Sequence, residues 1–465
     1  MSRPGRAGLM ACQLVLPFCL TAQTGAQTAT ILERLDRLER ENRALTEQVH
    51  DLQAQLAALR GTPPPAAATE ATPAAAPARA PSAAPSPSIQ EQLDVQQQRI
   101  EEQAQTKVES SQKFPLRIAG MLLFNSFLNS HQSGNVEYPT VAVPPGPAYA
   151  GATIRQTVLG LEFNGPRTLL GGTVHGSVYM DFFSGTAPLA LTMRLRTGDI
   201  QIDWKTRHLL VGVEKPIFNP RDPASLAQVG ISPLSGAGNL WLWVPQVSVG
   251  QDLSFGWRSG LRARMGVIET QEVAPYDPTT FPVSVERFRP GLEGRFELYH
   301  NFDDDRRIEL APGFHQSVTH ANGFSIPSQV VSVDWFMNPW RRLEFSGAFF
   351  SGQNVANLGT GAINQGYAVL RHVAWAIGSE GGWGQLALHT WPRMDFHFFF
   401  GDQQYGTRYL GAGDVTGNIQ YGVNLYYRLA PNVILAPEIS QLRSRRIGQM
   451  VLINNHYDLA LAYLF

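Results

Sequence analysis

The chain has 465 residues, a formal net charge of −1 and 16% charged residues, where about 25% is usual for soluble domains. From Phe114 onward basic and acidic residues are equal in number, which argues against the basic footprint of a nucleic-acid binder. Past the N-terminus no apolar run reaches the roughly 18 residues of a spanning helix, so no such helix is expected.

In chain order, Arg3 and Arg6, the apolar stretch Leu9–Ala22 and the small residues Thr24-Gly25-Ala26 predict a secretory signal over 1–26. Both cysteines, Cys12 and Cys19, lie inside it, so the mature chain is expected to leave the cytoplasm without disulfides. A lipoprotein reading of "LPFC" is opposed by the bulk of Phe18. Residues 27–60 hold a heptad repeat. Leu35, Asn42, Val49 and Leu56 take a positions; Ile31, Leu38, Leu45, Leu52 and Leu59 take d positions. This predicts a periplasmic α-helical coiled coil, with Asn42 fixing register and Arg34 facing Glu39 of a parallel neighbour. The alternative is a lone amphipathic helix. Residues 61–88 are a Pro/Ala linker, extended and semi-rigid. Residues 89–113 read as a short polar helix with Ile89, Leu93 and Ile100 at helical spacing.

From residue 114 to 465 the period changes to two. In "RPGLEGRFELY" (289–299), Leu292, Phe296 and Leu298 share one face, and Arg289, Glu293, Arg295 and Glu297 the other. Such strands, about 10 residues long, aromatic and joined by alternately short and long links, predict an all-β transmembrane antiparallel β-barrel. In lipid a spanning sheet must close so that every amide is paired. Strands are expected near 116–126, 153–163, 171–183, 192–204, 207–214, 244–258, 261–270, 287–300, 306–318, 328–337, 340–350, 367–378, 383–402, 418–428, 432–443 and 454–465. That is about sixteen strands if 383–402 is one strand bulged at Pro392, or eighteen if Trp391-Pro392 is a turn. The closing stretch "NHYDLALAYLF" sets Tyr457, Leu459, Leu461, Tyr463 and Phe465 toward lipid and pairs with the strand near Leu116–Phe124.

A barrel this wide leaves an aqueous lumen, so candidate functional residues point inward. These are Arg194, Arg196, Arg262, Arg264, Arg287, Arg289 and Arg295, with Glu293 and Glu297 as counter-charges. Arginines at i, i+2 share a strand face and bias a pore toward anions; the alternative is a wall-stiffening arginine–carboxylate network. The segment 215–243 is long enough to suggest function. Folded into the lumen it would place Lys215, Asn219, Arg221, Asp222 and Gln228 at a constriction; the alternative is an extracellular flap or a subunit-contact loop. No nucleophile elbow, zinc helix or phosphate loop occurs. His175, His315 and His456 have no ligand spacing, so neither catalysis, metal nor cofactor is expected.

The stretches "LRIAGMLLFN", "IRQTVLGLEFNG", "GGTVHGSVYMDFF", "RLRTGDIQI" and "LLVGVEKPIF" resemble the DcaP-like group of bacterial outer-membrane porins. The resemblance covers about the first third of the barrel at motif level and the whole chain in architecture. It implies a homotrimer in outer-membrane lipid, passive diffusion, an inward-folded third loop and a preference for small anionic solutes such as dicarboxylates, carried by Arg194 and Arg196 with the wider basic wall. The C-terminal Phe465 resembles the signal read by the outer-membrane assembly machinery. Two features depart from the group. The coiled-coil core leans toward two strands, and the lysine ladder of phosphate-selective relatives is absent, since Lys205 and Lys215 alone lie in the barrel region. The expected function is a diffusion porin. The rivals are a structural or adhesive barrel tethered by its coiled coil, and a barrel enzyme.

Overall fold

The computed structural model describes residues 116–168, 170–184, 191–272, 285–286, 288–321, 323–370 and 373–465. The signal, coiled coil, linker and polar helix expected over 1–113 lie outside the described residues. The strands are β1 (Leu116–Asn129), β2 (Tyr149–Thr153), β3 (Val158–Arg167), β4 (Thr173–Ser184), β5 (Thr192–Asp203), β6 (Arg207–Glu214), β7 (Val244–Ser254), β8 (Ser259–Gln271), β9 (Phe288–Asn301) and β10 (Arg307–Ala321). They continue with β11 (Phe324–Trp340), β12 (Leu343–Gln353), β13 (Tyr367–Leu370), β14 (Val373–Ala376), β15 (Gly378–Trp391), β16 (Met394–Tyr405), β17 (Val415–Ala430), β18 (Val433–Arg446) and β19 (Leu452–Leu464).

All but β13 and β14 belong to one antiparallel sheet of sequential neighbours. It closes where β1 pairs β19, from Met121↔Leu464 to Asn129↔His456. β2 and β3 both pair β1, along its two halves, so they are two pieces of one stave and the barrel has sixteen. The break between them turns Arg155, Gln156 and Thr157 into the interior, where all three are buried.

The alternation follows from the two solvents. On β19, Tyr457, Leu459, Leu461 and Tyr463 are exposed on the outer face, while His456, Asp458, Ala460 and Ala462 are buried on the inner one. Lipid accepts the first set and the interior the second. Tyr463 and Phe465 stack with centroids 6.3 Å apart.

Two expectations fail, and the failures offset one another. Segment 367–378 is not a stave: β13 and β14 form a separate hairpin of four residues per arm, far short of the roughly 9–11 a membrane strand needs. Its Tyr367 packs on Ala321 and Ile326. Segment 383–402 is not one strand either. β15 and β16 pair from Ser379↔Tyr405 to Trp391↔Met394, and Pro392 sits in the turn, where its missing N–H costs no ladder bond. "SEGG" (379–382), read as a link, lies inside β15. The total of sixteen survives because one stave is lost and one gained.

The apolar core sits in the lumen. Phe218 and Leu240 pack with Val330, Phe350, Val355 and Leu358. Leu234 packs with Ala348, Trp383 and Phe399. Leu226 packs with Leu123, Ile434, Ala436, Ala460 and Ala462. In each cluster a residue of segment 215–243 packs against inward-facing wall residues, joined in the first by Val355 and Leu358 of the loop after β12.

Candidate functional site: the lumenal segment and its basic wall

Segment 215–243 leaves β6 and crosses the interior. The Ile217 N–H donates to Glu293 Oε2 on β9 (2.7 Å), and Ser332 on β11 donates to Phe218 O (3.0 Å). At the opposite wall the Ala224 N–H donates to Gln385 Oε1 on β15 (2.8 Å) and the Ser225 hydroxyl to Glu438 Oε2 on β18 (2.5 Å). Asn125 on β1 donates to Leu226 O (2.8 Å) and to Asp458 on β19 (3.0 Å). Gln156 Nε2 donates to Ala227 O (2.8 Å), and its Oε1 accepts the Val229 and Gly230 N–H groups, each at 2.7 Å. Contacts around the whole wall mean that the segment lies inside the barrel rather than over it.

Two inward glycines seat its backbone. A Cβ on Gly313 would lie 3.0 Å from Phe218 O, and one on Gly401 would lie 2.1 Å from Ala237 O. Within the segment Gly236 and Gly238 have φ of 84° and 103°, which only glycine adopts without strain.

The first basic cluster comes from β5. A bulge opposite Tyr179 and Met180 leaves Arg196 as the extra residue, so Arg194 and Arg196 both turn inward onto the fully buried Asp181. Arg194 donates to Asp181 through Nε (3.1 Å) and Nη2 (2.7 Å), and Arg196 through Nη1 (3.0 Å). Their remaining donors reach Gly230 O (2.6 Å) and Val229 O (2.8 Å). The Trp243 ring lies 5.1 Å from one guanidinium and 4.6 Å from the other. Two guanidinium groups thus share one carboxylate, and both remain partly exposed.

The second cluster joins segment to wall. Arg221 donates to Asp334 Oδ1 and Glu309 Oε2, each at 2.6 Å, and to Glu297 Oε2 at 3.4 Å. Arg295 binds Asp334 (2.7 and 2.8 Å) and Glu297 (2.6 Å). Arg262 binds Glu297, and Arg307 binds Glu309 (2.8 Å). Four guanidinium groups meet three carboxylates.

The sequence-predicted residues divide accordingly. Arg194, Arg196, Arg262, Arg295, Glu297 and Arg221 are brought into these two clusters. Arg264 faces the lumen with no carboxylate within 4.0 Å among the described residues. Arg289 stands near the long-loop rim, paired with Glu286. Arg287 lies outside the described residues. Glu293 is fully buried and accepts from Ile217 and from the His315 ring (2.9 Å). Lys215 pairs with Asp222 (2.5 Å), and Asp222 accepts from Ser232 (2.7 Å) and Asn239 (3.2 Å). Asn219 braces the segment through Leu240 O (2.6 Å). Gln228 is buried, its N–H on Ser225 Oγ (3.2 Å). Among the described residues Glu214, Glu344, Asp199, Glu438 and Asp458 also face inward without a cation in ion-pair range, so unpaired acids outnumber Arg264.

Sequence reasoning missed Asp334, Asn125, Gln156, Glu438 and Trp243. Asp334, a lone acid on the inward parity of "VVSVDWF" (330–336), could have been found by parity; Gln156, in the break between β2 and β3, could not.

An open cavity of about 780 Å³ remains between the start of the segment and the wall of β1 and β3 to β9. Arg117, Lys215, Arg264 and Arg295 line it with Glu162, Asp199 and Glu214. Among the described residues no group of three or more His, Cys, Asp and Glu side chains is arranged to hold a metal ion.

No protein-family model matches the chain, and no curated protein sequence does. Among solved structures it is similar to the outer membrane channel DcaP of Acinetobacter baumannii, at 15% identity and a TM-score of 0.63, over 75% of this chain and 97% of that one. It also aligns with an anion-selective porin from Comamonas acidovorans, at 12% identity and a TM-score of 0.49, over 76% of this chain and all of that one. The likeness to DcaP establishes a shared fold, the closed antiparallel barrel.

Proposed function

We propose that the chain is an outer-membrane porin, its short-turn rim facing the periplasm, that lets small hydrophilic solutes diffuse passively and favours small anions such as carboxylates. The observation that carries this reading is the lumenal segment 215–243, which narrows the barrel and is bonded by the partly exposed Arg194 and Arg196, two guanidinium groups sharing one aspartate. A fixed surplus of guanidinium groups at a constriction lowers the energy of an anion there and raises that of a cation. Arginine suits the task because its planar fork meets a carboxylate bidentately and stays charged. The unpaired Arg264 adds to the basic wall. On the same reading the chain is a homotrimer with its N-terminal coiled coil in the periplasm, and Phe465 is the feature recognised by the assembly machinery.

Planar-bilayer recordings test it. Discrete conductance steps are expected, with a reversal potential in asymmetric salt on the anion-selective side. Replacing Arg262 and Arg264 together by Ala is expected to reduce that selectivity while leaving the oligomer intact. Absence of conductance would remove the porin reading, and cation selectivity would remove the basic-wall reading alone.

A second reading is favoured by the dense anchoring of residues 224–240 on the wall: a barrel plugged by its own segment and serving a structural or adhesive role. It predicts silent bilayers from folded protein.

A further inference from the structure

Four of the nine tryptophans stand at one end of the barrel, in four different short turns. Each is followed within two residues by a cation: "DWKTR" (203–207), "GWRSG" (256–260), "PWRRL" (339–343) and "TWPRM" (390–394). The rings point away from the lumen. Trp340 pairs directly with Leu343, and Trp391 with Met394, residues on the outward parity of β12 and β16. Trp257 continues the exposed outward row Val247, Val249, Leu253 and Phe255. Trp204 follows the outward Ile200 and Ile202. Trp257, Trp340 and Trp391 are 86%, 64% and 61% exposed.

The cations beside them are also uncommitted. Arg167, Lys205, Arg258, Arg342 and Arg393 have no carboxylate within 4.0 Å among the described residues. Among the described residues the acidic turn Asp303 to Asp305 is met by Arg306 (2.8 Å) and Arg341 (3.5 Å) of the same rim, and Asp203, beside Trp204, is met by His208 (2.6 Å). Arg258 lies 4.0 Å over the Trp257 ring and donates to Phe302 O, which holds its fork at the height of the indole.

We propose that this rim is a docking collar for anionic phospholipid. Trp204, Trp257, Trp340 and Trp391 sit at the boundary of acyl chain and headgroup, where amphipathic rings are favoured. Lys205, Arg258, Arg342 and Arg393 take the phosphates. The inference rests on the barrel lying in a membrane and not on what passes through it. Lipid is chosen over a soluble periplasmic polymer because the rings extend the lipid-facing band instead of projecting along the barrel axis. Anionic lipid is chosen over zwitterionic because the collar holds unpaired positive charge. A cation beside an anionic surface contributes a factor of roughly five in affinity.

The test is the full-length protein in phosphatidylcholine bilayers, with the motionally restricted fraction of spin-labelled phosphatidylglycerol and phosphatidylcholine read by electron spin resonance. The wild type is expected to associate several-fold more strongly with phosphatidylglycerol, and high salt to erase the difference. The combined substitutions Lys205→Gln, Arg258→Gln, Arg342→Gln and Arg393→Gln are expected to bring the ratio to about one while the tryptophans still bind lipid. Equal association of the two lipids with the wild type overturns the proposal, as does a preference that persists in the quadruple variant. Binding of peptidoglycan fragments without lipid preference overturns it in favour of a polymer partner. If the variant fails to fold, the salt series on the wild type decides: a preference insensitive to salt refutes the collar.

Discussion

Arg221 is the keystone between the lumenal segment and the wall, and Arg221→Gln is the most informative substitution. Its two short bonds, each 2.6 Å, to Asp334 and Glu309 are charge-assisted and together worth about 3–6 kcal/mol before correction. The correction is large. Asp334 keeps Arg295, Glu309 keeps Arg307, and Glu297 keeps both Arg295 and Arg262. No carboxylate is orphaned, so the usual penalty for breaking a buried pair is largely avoided. A net loss of about 2–3 kcal/mol in docking is expected, roughly 30–150-fold in the ratio of docked to undocked segment. The segment keeps its anchors at Ser225 and Gln156, so the loss is confined to its first half. Single-channel recording reads this as increased open-channel noise and a larger mean conductance. The heat-shifted mobility of the folded barrel on a gel should remain. Noise and conductance indistinguishable from wild type would show that the network does not hold the segment.

Replacing Arg194 and Arg196 together by Gln leaves Asp181 without a cation. The reversal potential is expected to move toward cations, and no movement would make these arginines wall structure only. Gly401→Val collides with the Ala237 carbonyl, 2.1 Å from the position of the new Cβ. Displacement of residues 234–240 is expected, seen as protease sensitivity of the segment within an intact barrel; a resistant segment would refute the seat. In the exposed turn after β9, the hydrogen bond from Arg306 holds the Asp303 carboxyl below the usual aspartate range. A group depressed by folding stabilises above its unfolded value of about 3.9 and loses that contribution as pH falls through the folded one. NMR titration should therefore find Asp303 low in the wild type and higher in Arg306→Gln, with the backbone donors of residues 305 and 306 still in place, and identical values would refute the pairing.

The lipid-facing pattern was legible because a bilayer imposes alternation residue by residue. Leu292, Phe296 and Leu298, or Leu459, Leu461 and Tyr463, need no knowledge of their partners. The inward direction of Arg295 and Arg262 followed from the same parity. Glu297, which both arginines meet, followed as a counter-charge on the same parity; Asp334 did not, because it lies 39 residues from Arg295 and is reached only through strand register. The path of segment 215–243 was less legible still. Ser225 meets Glu438 across 213 positions, and no local pattern encodes such a pair. The hairpin at 367–376 misled for a different reason. "YAVL" and "VAWA" are apolar enough to read as one strand, and their shortness shows only in their pairing with each other, from Tyr367↔Ala376 to Leu370↔Val373.

The seam where β1 meets β19 has a consequence for assembly. Asn125, beside the seam, donates at once to Asp458 on β19 and to the carbonyl of Leu226 in the lumenal segment. Glu438, one strand away, receives Ser225. The last staves to join therefore join partly onto the segment. Bringing such distant positions together adds little loop entropy, about 0.6 kcal/mol per doubling of length, yet pairings this non-local form slowly. Until they form, β1 and β19 are open edges able to pair with other chains. A segment already seated on Gln156 offers β18 and β19 a template, so filling the interior and sealing the wall become one cooperative event.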